Sequence, residues 1–328
     1  MINRRSFLSA ACAGSTAFIL PWAWQPPQAQ PQAWPTKPIR IIEPFPAGIA
    51  RDARTRVLAE KLSVYLGQQV YVENRPGAAG RIAAQAAVSA APDGYTFNMM
   101  GITDILTKHL YHLSYDMERD LVPVSMIETA PAAIIVRASL PTRTIVDLLN
   151  YAWTHPGELT YGSTGPGGWF HVNALLFSSL TNASFRHIPY AQGNLAADLL
   201  GDHIDMVFDA ALPYLESIKA GKLRALAVTG EERTSVLPDV PTFIESGVAA
   251  YDPYVLYGIF APKGTPESIV VKMEKAVAQV VQEPSLRRQW MSEGGNPVGS
   301  TSTEFAARLR RESARWGSII RENNIKLE

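Results

Sequence analysis

Apolar positions along the chain change period again and again, dividing it into alternating strands and helices. Ile39-Arg40-Ile41-Ile42-Glu43 is a β-branched run that stops at Pro44-Phe45-Pro46-Ala47-Gly48. Asp52 then opens a stretch in which Val57, Leu58, Leu62 and Leu66 recur at helical spacing until Gly67 ends it. The pattern repeats. Val70-Tyr71-Val72-Glu73 leads through Asn74-Arg75-Pro76-Gly77 into an alanine-rich helix over 80–91, and Pro92-Asp93-Gly94 turns into a strand over 95–100. Further strands are predicted over 122–127, 132–136, 159–161, 185–188, 204–208 and 223–228. Helices are predicted over 144–153, 169–180, 195–200 and around 214–220. From Pro266 onward the chain reads as wholly helical, with Val270, Val271, Met273, Val277 and Val281 in one stripe. Strands alternating with such helices imply parallel sheets covered on both faces.

A chain of 328 residues is near the practical limit of a single core, which favours two domains. No internal repeat and no low-complexity linker divides the halves, so the chain is expected to cross between domains more than once. A hinged, two-lobed protein with its ligand in the cleft follows. Lys plus Arg total 30 and Asp plus Glu total 30, a balance that excludes an electrostatic nucleic-acid binder or a polybasic membrane-surface protein.

The first 33 residues read as an export signal and not as fold. Arg4 and Arg5 precede an apolar stretch over 7–20 that Pro21 breaks, too short to span about 30 Å of hydrocarbon. Arg4-Arg5-Ser6-Phe7-Leu8 is similar to a twin-arginine signal, and a Sec signal fits as well; cleavage fits near Ala29 or Ala33. Cys12 is the single cysteine, and Ser9 stands where a lipoprotein signal needs an apolar residue. Removal of the segment leaves no thiol, which excludes disulfides, thiolate metal sites and cysteine nucleophiles. The expected destination is the periplasm.

Catalytic and cofactor patterns are thin. His109 and His112 share a helix face at their spacing, but no carboxylate completes a metal site. Gly162-Ser163-Thr164-Gly165 has Tyr161 where a nucleophile elbow needs its first glycine, so a serine esterase built on Ser163 and His171 is the weaker reading. Phe170 interrupts a dinucleotide fingerprint starting at Gly165. No cofactor and no metal are expected.

Two strand-to-helix loops carry the chemistry that is present, residues 44–52 and 163–168. First-turn amides of the following helix lack intrahelical partners there, and the helix dipole favours an anion, so each loop can hold a carboxylate. Gly48, Gly165, Gly167 and Gly168 permit close backbone approach. Asp52 is most simply an N-cap. Ser163 and Thr164 either brace the turn or bond a ligand, Phe45 belongs to the core or the cleft wall, and Arg51 either pairs with a ligand carboxylate or meets solvent. The candidate ligand contacts are Phe45, Pro46, Ala47, Gly48, Ile49, Ala50, Arg51, Asp52, Ser163, Thr164, Gly165, Gly167, Gly168, His171 and Asp209.

Several strings match a known family. Trp34-Pro35-Thr36-Lys37-Pro38-Ile39, Val72-Glu73-Asn74-Arg75-Pro76-Gly77-Ala78, Pro92-Asp93-Gly94-Tyr95-Thr96, Gly221-Lys222-Leu223-Arg224-Ala225-Leu226-Ala227-Val228-Thr229, Leu237-Pro238-Asp239-Val240-Pro241-Thr242 and Ala261-Pro262 with Gly264-Thr265-Pro266 occur in order. The chain from Trp34 onward resembles the Bug-type extracytoplasmic substrate-binding receptors of tripartite tricarboxylate transporters. The resemblance implies an α/β, two-lobed Venus-flytrap fold of the type II periplasmic binding protein class, with mixed sheets flanked by helices and a helical C-terminal tail. It also implies a carboxylate held by backbone amides and water. The family's first ligand loop maps onto Pro44, Phe45, Gly48 and Asp52, with Ile49 where a second glycine is usual and Arg51 where a small residue is usual. The second maps onto Ser163, Gly165, Gly167 and His171, with Gly168 in place of a common serine. The segment Pro189-Tyr190-Ala191-Gln192-Gly193 lacks the usual basic residue–glycine pair.

The expected molecule is a monomeric periplasmic receptor. It captures an organic carboxylate and delivers it to membrane permease subunits of a tripartite tricarboxylate transporter. Lobe 1 is expected over 34–135 with 258–328, and lobe 2 over 136–257. Arg51 and Ile49 favour an aromatic or medium-chain dicarboxylate. The competing classes are the Ser163–His171 esterase and a receptor that only signals.

Overall fold

The computed structural model describes residues 34–190 and 195–327. The export segment with Cys12, and residues 191–194 with the string around Gln192, lie outside the described residues. In chain order, β1 (Ile39–Glu43) leads to α1 (Ala50–Leu66), β2 (Val70–Asn74) to α2 (Arg81–Val88) and β3 (Thr96–Gly101) to α3 (Ile102–Leu110). A short α4 (Met117–Asp120) precedes β4 (Leu121–Arg137) and α5 (Ile145–Thr154). Then come β5 (Thr160–Ser163), α6 (Trp169–Thr181), β6 (Arg186–Pro189), α7 (Leu195–Leu200) and β7 (Met206–Ala210). After α8 (Leu215–Lys219), β8 (Leu223–Val228) and β9 (Tyr254–Pro262), the chain ends in α9 (Glu267–Val281), α10 (Pro284–Ser292), β10 (Asn296–Pro297) and α11 (Ser302–Glu322).

The strands form mixed sheets. β1 pairs in parallel with β2 and β3, β9 runs antiparallel between β3 and β4, and β10 adds to β4. Beyond these, β5 is parallel to β6 and β7, while β7 and β8 run antiparallel to β4. β4 belongs to both groups: it pairs with β9 as far as Pro131, and with β7 from Ala132 onward. One hydrophobic cluster runs from Ile42 and Met100 through Ile134 to Phe177 and Phe208. In the tail, α9 packs on α1 and β4, and α11 packs on α3 and β4.

Four expectations change. The sheets are mixed, as the family resemblance implies, and not parallel as strand–helix alternation alone implies, because β4 and β9 run against neighbours. The strands predicted over 122–127 and 132–136 are one strand. Pro131 falls in the predicted gap, but it sits at the hand-over between partners, and Pro123 falls at a register shift, where a missing N–H is tolerated. The tail is not wholly helical, since β10 interrupts it. Finally, β9 is a strand that the periodicity did not place, because its residues from Leu256 to Pro262 are buried without alternation, as in a strand covered on both faces.

Candidate functional site

The loop after β1 is braced from behind. Parallel pairing sets Glu43 beside Asn74 at the carboxyl ends of β1 and β2. Asn74 Nδ2 donates to Phe45 O at 2.8 Å and to Asp52 Oδ1 at 2.7 Å, and Arg56 Nε donates to Asp52 Oδ2 at 2.9 Å. Asp52 Oδ2 also accepts from the Gly48 N–H at 2.9 Å. Burial works against its charge, but the bonds from Arg56, Asn74 and Gly48 hold this carboxyl below its ordinary range. Asp52 is therefore not the N-cap. That place belongs to Ile49, whose side chain cannot cap, and Asp52 sits in the first turn and reaches back. Ile49 has φ −79° and ψ 163°, a conformation open to a branched residue, so the site needs no glycine there. Gly48 has φ 89° and does need one.

The loop after β5 has a different brace. Ser163 is fully buried; its Oγ accepts from the Gly165 N–H at 3.0 Å and lies 2.5 Å from His187 Nε2. His171 Nδ1 accepts from the Gly167 N–H at 3.0 Å, and its ring stacks on His187 with centroids 4.1 Å apart. Burial, and then His187, pushes His171 down to about 4, so it is a neutral acceptor and not a cation for a carboxylate. Ser163 and His171 make no nucleophile–base pair: each holds a backbone amide of the loop. Gly167, with φ 73°, turns its open side toward Tyr111, whose ring a β-carbon would meet at 2.7 Å. The loop ends at Gly168, the N-cap of α6, again without a side-chain cap.

Between the two loops lies a cavity of about 680 Å³. The first loop contributes Phe45, Pro46, Ala47, Gly48, Ile49 and Arg51, and the second contributes Thr164. Asp209, at the end of β7, also lines it. Ser163, Gly165, Gly167, Gly168, His171 and Asp52 do not line it; they shape the loops from behind. Ala50 is the first helical residue of α1. Phe45, left open between core and cleft, faces the cavity half-buried.

Arg51 enters the cavity with its charge already matched. Its Nε lies 3.3 Å from Glu43 Oε1, its Nη2 donates to Met99 O at 2.9 Å, and its guanidinium stacks over Phe45 and Tyr257. It is not the spare cation that a dicarboxylate preference required. Sequence reasoning missed most of the remaining wall. Trp169, Phe170, Leu212, Val236, Val255 and Leu256 make it apolar, while Arg54, Glu128, Tyr257 and Glu293 make one side polar. These residues come from separated elements with no common spacing. His109 and His112 also part company: His109 is on α3 with its Nε2 3.1 Å from Ser313 Oγ, and His112 lies past the helix end. Among the described residues, no group of three or more His, Cys, Asp or Glu converges as a metal site.

Two cavity carboxyls are held high by burial: Glu128 and Asp209 are each pushed to about 7, against ordinary values of 4.5 and 3.8. Between the ordinary and raised values the folded chain binds more protons than the unfolded one, so stability falls as pH rises through that window. His171, depressed to about 4, acts in the opposite sense up to about pH 6.5 and offsets part of this. These three groups together are expected to contribute a net loss of about 3 kcal/mol between pH 5 and 7.5 in chemical denaturation. Asp209→Asn should flatten the profile, and a profile that rises across this range would contradict the assignment.

The matched family is that of tripartite tricarboxylate transporter receptors, aligned with residues 54–325. The chain belongs to this family. Its members are receptors and not enzymes, which removes the esterase reading. Protein BugT of Bordetella pertussis is 32% identical over 299 residues, covering 90% of this chain and 92% of BugT. An R. palustris protein solved with adipate is 30% identical with TM-score 0.84, covering 89% of this chain and 99% of that one. Rhodopseudomonas palustris MatC with bound malate is 27% identical with TM-score 0.82, covering 87% and 99%. The fold is the two-lobed α/β fold of periplasmic binding proteins.

Proposed function

We propose that this chain is a monomeric periplasmic receptor that captures an organic carboxylate with an apolar body and delivers it to a tripartite tricarboxylate-type membrane permease. The observation that carries the reading is the cavity. Its apolar walls meet the first turns of α1 and α6, and neither helix has a side-chain cap to occupy its amides. The adipate and malate held by the two R. palustris proteins support a carboxylate ligand. Both of those ligands are dicarboxylates, in line with the aromatic or medium-chain dicarboxylate expected for this chain, although Arg51 itself is already matched by Glu43.

We take residues 34–135 with 258–328 as one lobe and 136–257 as the other, closing on the ligand by a hinge. The change of partners along β4 after Pro131 and the start of β9 at Tyr254, each about four residues before these boundaries, support a division along β4 and β9. Residues 1–33 serve export to the periplasm. Calorimetric titration with a panel of carboxylates tests the reading. One member should bind saturably at one site, and at a hundred times its dissociation constant it should stabilise the fold by about 2.7 kcal/mol. Dialysis against a chelator beforehand should leave the affinity unchanged. If no carboxylate saturates, the receptor reading fails; a large loss after chelation would mean that a metal takes part.

A further inference from the structure

The charges lining the cavity are unequal, and the cations are already engaged. Among the described residues that line it, the cations are Arg51 and Arg54. Arg51 is matched by Glu43. Arg54, almost fully buried, lies 3.3 Å from Glu128 through Nη1 and 3.1 Å from Glu293 through Nη2, so one guanidinium serves two carboxylates. This group is built from four parts of the chain. Tyr257 on β9 donates to Glu128 on β4, the Trp290 ring of α10 lies under Arg54 at 5.0 Å, and Gly295 leaves the space that Glu128 fills. Asp209, on the wall made by β7, is a further carboxylate. Among the described residues, its oxygens meet the Ala210 N–H at 2.6 Å and the Tyr214 hydroxyl at 3.1 Å, and no cation.

A second carboxylate on the ligand would enter a poorly solvated cavity whose carboxyls outnumber its cations and where burial already disfavours negative charge, as the raised Glu128 and Asp209 show. A positive group would find Glu293, Glu128 and Asp209 without a full complement of cations. We propose that the ligand is zwitterionic: a carboxylate at the first turns of α1 and α6, an apolar body along the cavity, and an ammonium group facing the acidic walls. This rests on the receptor reading and names its substrate class. Arg54, Glu128, Glu293 and Asp209 then set specificity, whereas the helix ends hold what all carboxylate ligands share.

The test is calorimetric titration of the purified protein with three matched series running from four to ten carbons: unbranched monocarboxylates, α,ω-dicarboxylates and ω-amino carboxylates. The best ω-amino carboxylate should bind about tenfold or more tightly than the monocarboxylate of the same length, the size of one charge-assisted contact. In Glu293→Gln that ratio should fall toward one; Asp209→Asn repeats the test on the other wall. Glu293 is partly exposed, so its variant should fold even if the buried one does not. Dicarboxylates binding as tightly as the amino series or tighter would overturn the zwitterion proposal and leave the receptor reading standing. An amino advantage that survives both substitutions would overturn the assignment of these walls. Absence of binding across all three series and the wider carboxylate panel would overturn both.

Discussion

Arg51→Met is expected to lower folding stability by about 3 kcal/mol at pH 8 and by clearly less at pH 5. Glu43 is fully buried, and burial raises its carboxyl above the ordinary range even with the Arg51 guanidinium pulling it down. Thr55 Oγ1 donates to Glu43 at 2.7 Å and stays in place, but a hydroxyl cannot balance a buried charge. Without the guanidinium, Glu43 must bind a proton to remain inside, and that costs more as pH rises. Glu43→Gln in the same chain should restore most of the loss, since the two residues act as a pair. Denaturation of both variants at the two pH values measures this. Equal losses at pH 5 and pH 8 would mean that Arg51 contributes packing on Phe45 and Tyr257 and not charge.

The second large effect is expected at Gly295. A β-carbon there would overlap Glu128 Oε1, so even alanine must push the carboxylate away from Arg54 and Tyr257. Gly295→Ala should cost about 3 kcal/mol, the range for breaking a buried ion pair. Glu128→Ala empties the same space. The double variant should therefore be no less stable than Gly295→Ala alone, a coupling that additive losses would contradict.

The parts of the fold legible in sequence are those governed by local period. β8 and α7 fall where alternation and helical spacing place them, and Gly67 ends α1 at the predicted stop. β9 was illegible because a strand covered on both faces needs no alternation, and β4 because Pro131 imitates a turn. The site divides in the same way. Both ligand loops could be read from glycines at strand ends, which are local signals. Their braces could not: Asn74 reaches Asp52 only through the pairing of β1 with β2, and His187 reaches Ser163 only through the pairing of β5 with β6. The Asn74 string was recognisable as a family mark without revealing that it holds the first loop. Arg51 stood out as an exposed candidate because its partner, Glu43, ends the preceding strand and reads as a strand terminus. Arg54, Glu128 and Glu293 meet across long sequence separations, so no spacing could have joined them.

The most direct test of the account is a crystal structure of the protein grown with a saturating carboxylate identified by titration. The carboxylate should lie within hydrogen-bond reach of first-turn amides of α1 and α6, between loops 44–52 and 163–168, with the apolar body against Trp169 and Leu256. A ligand bound outside this cavity, or held by only one of the two loops, would contradict it.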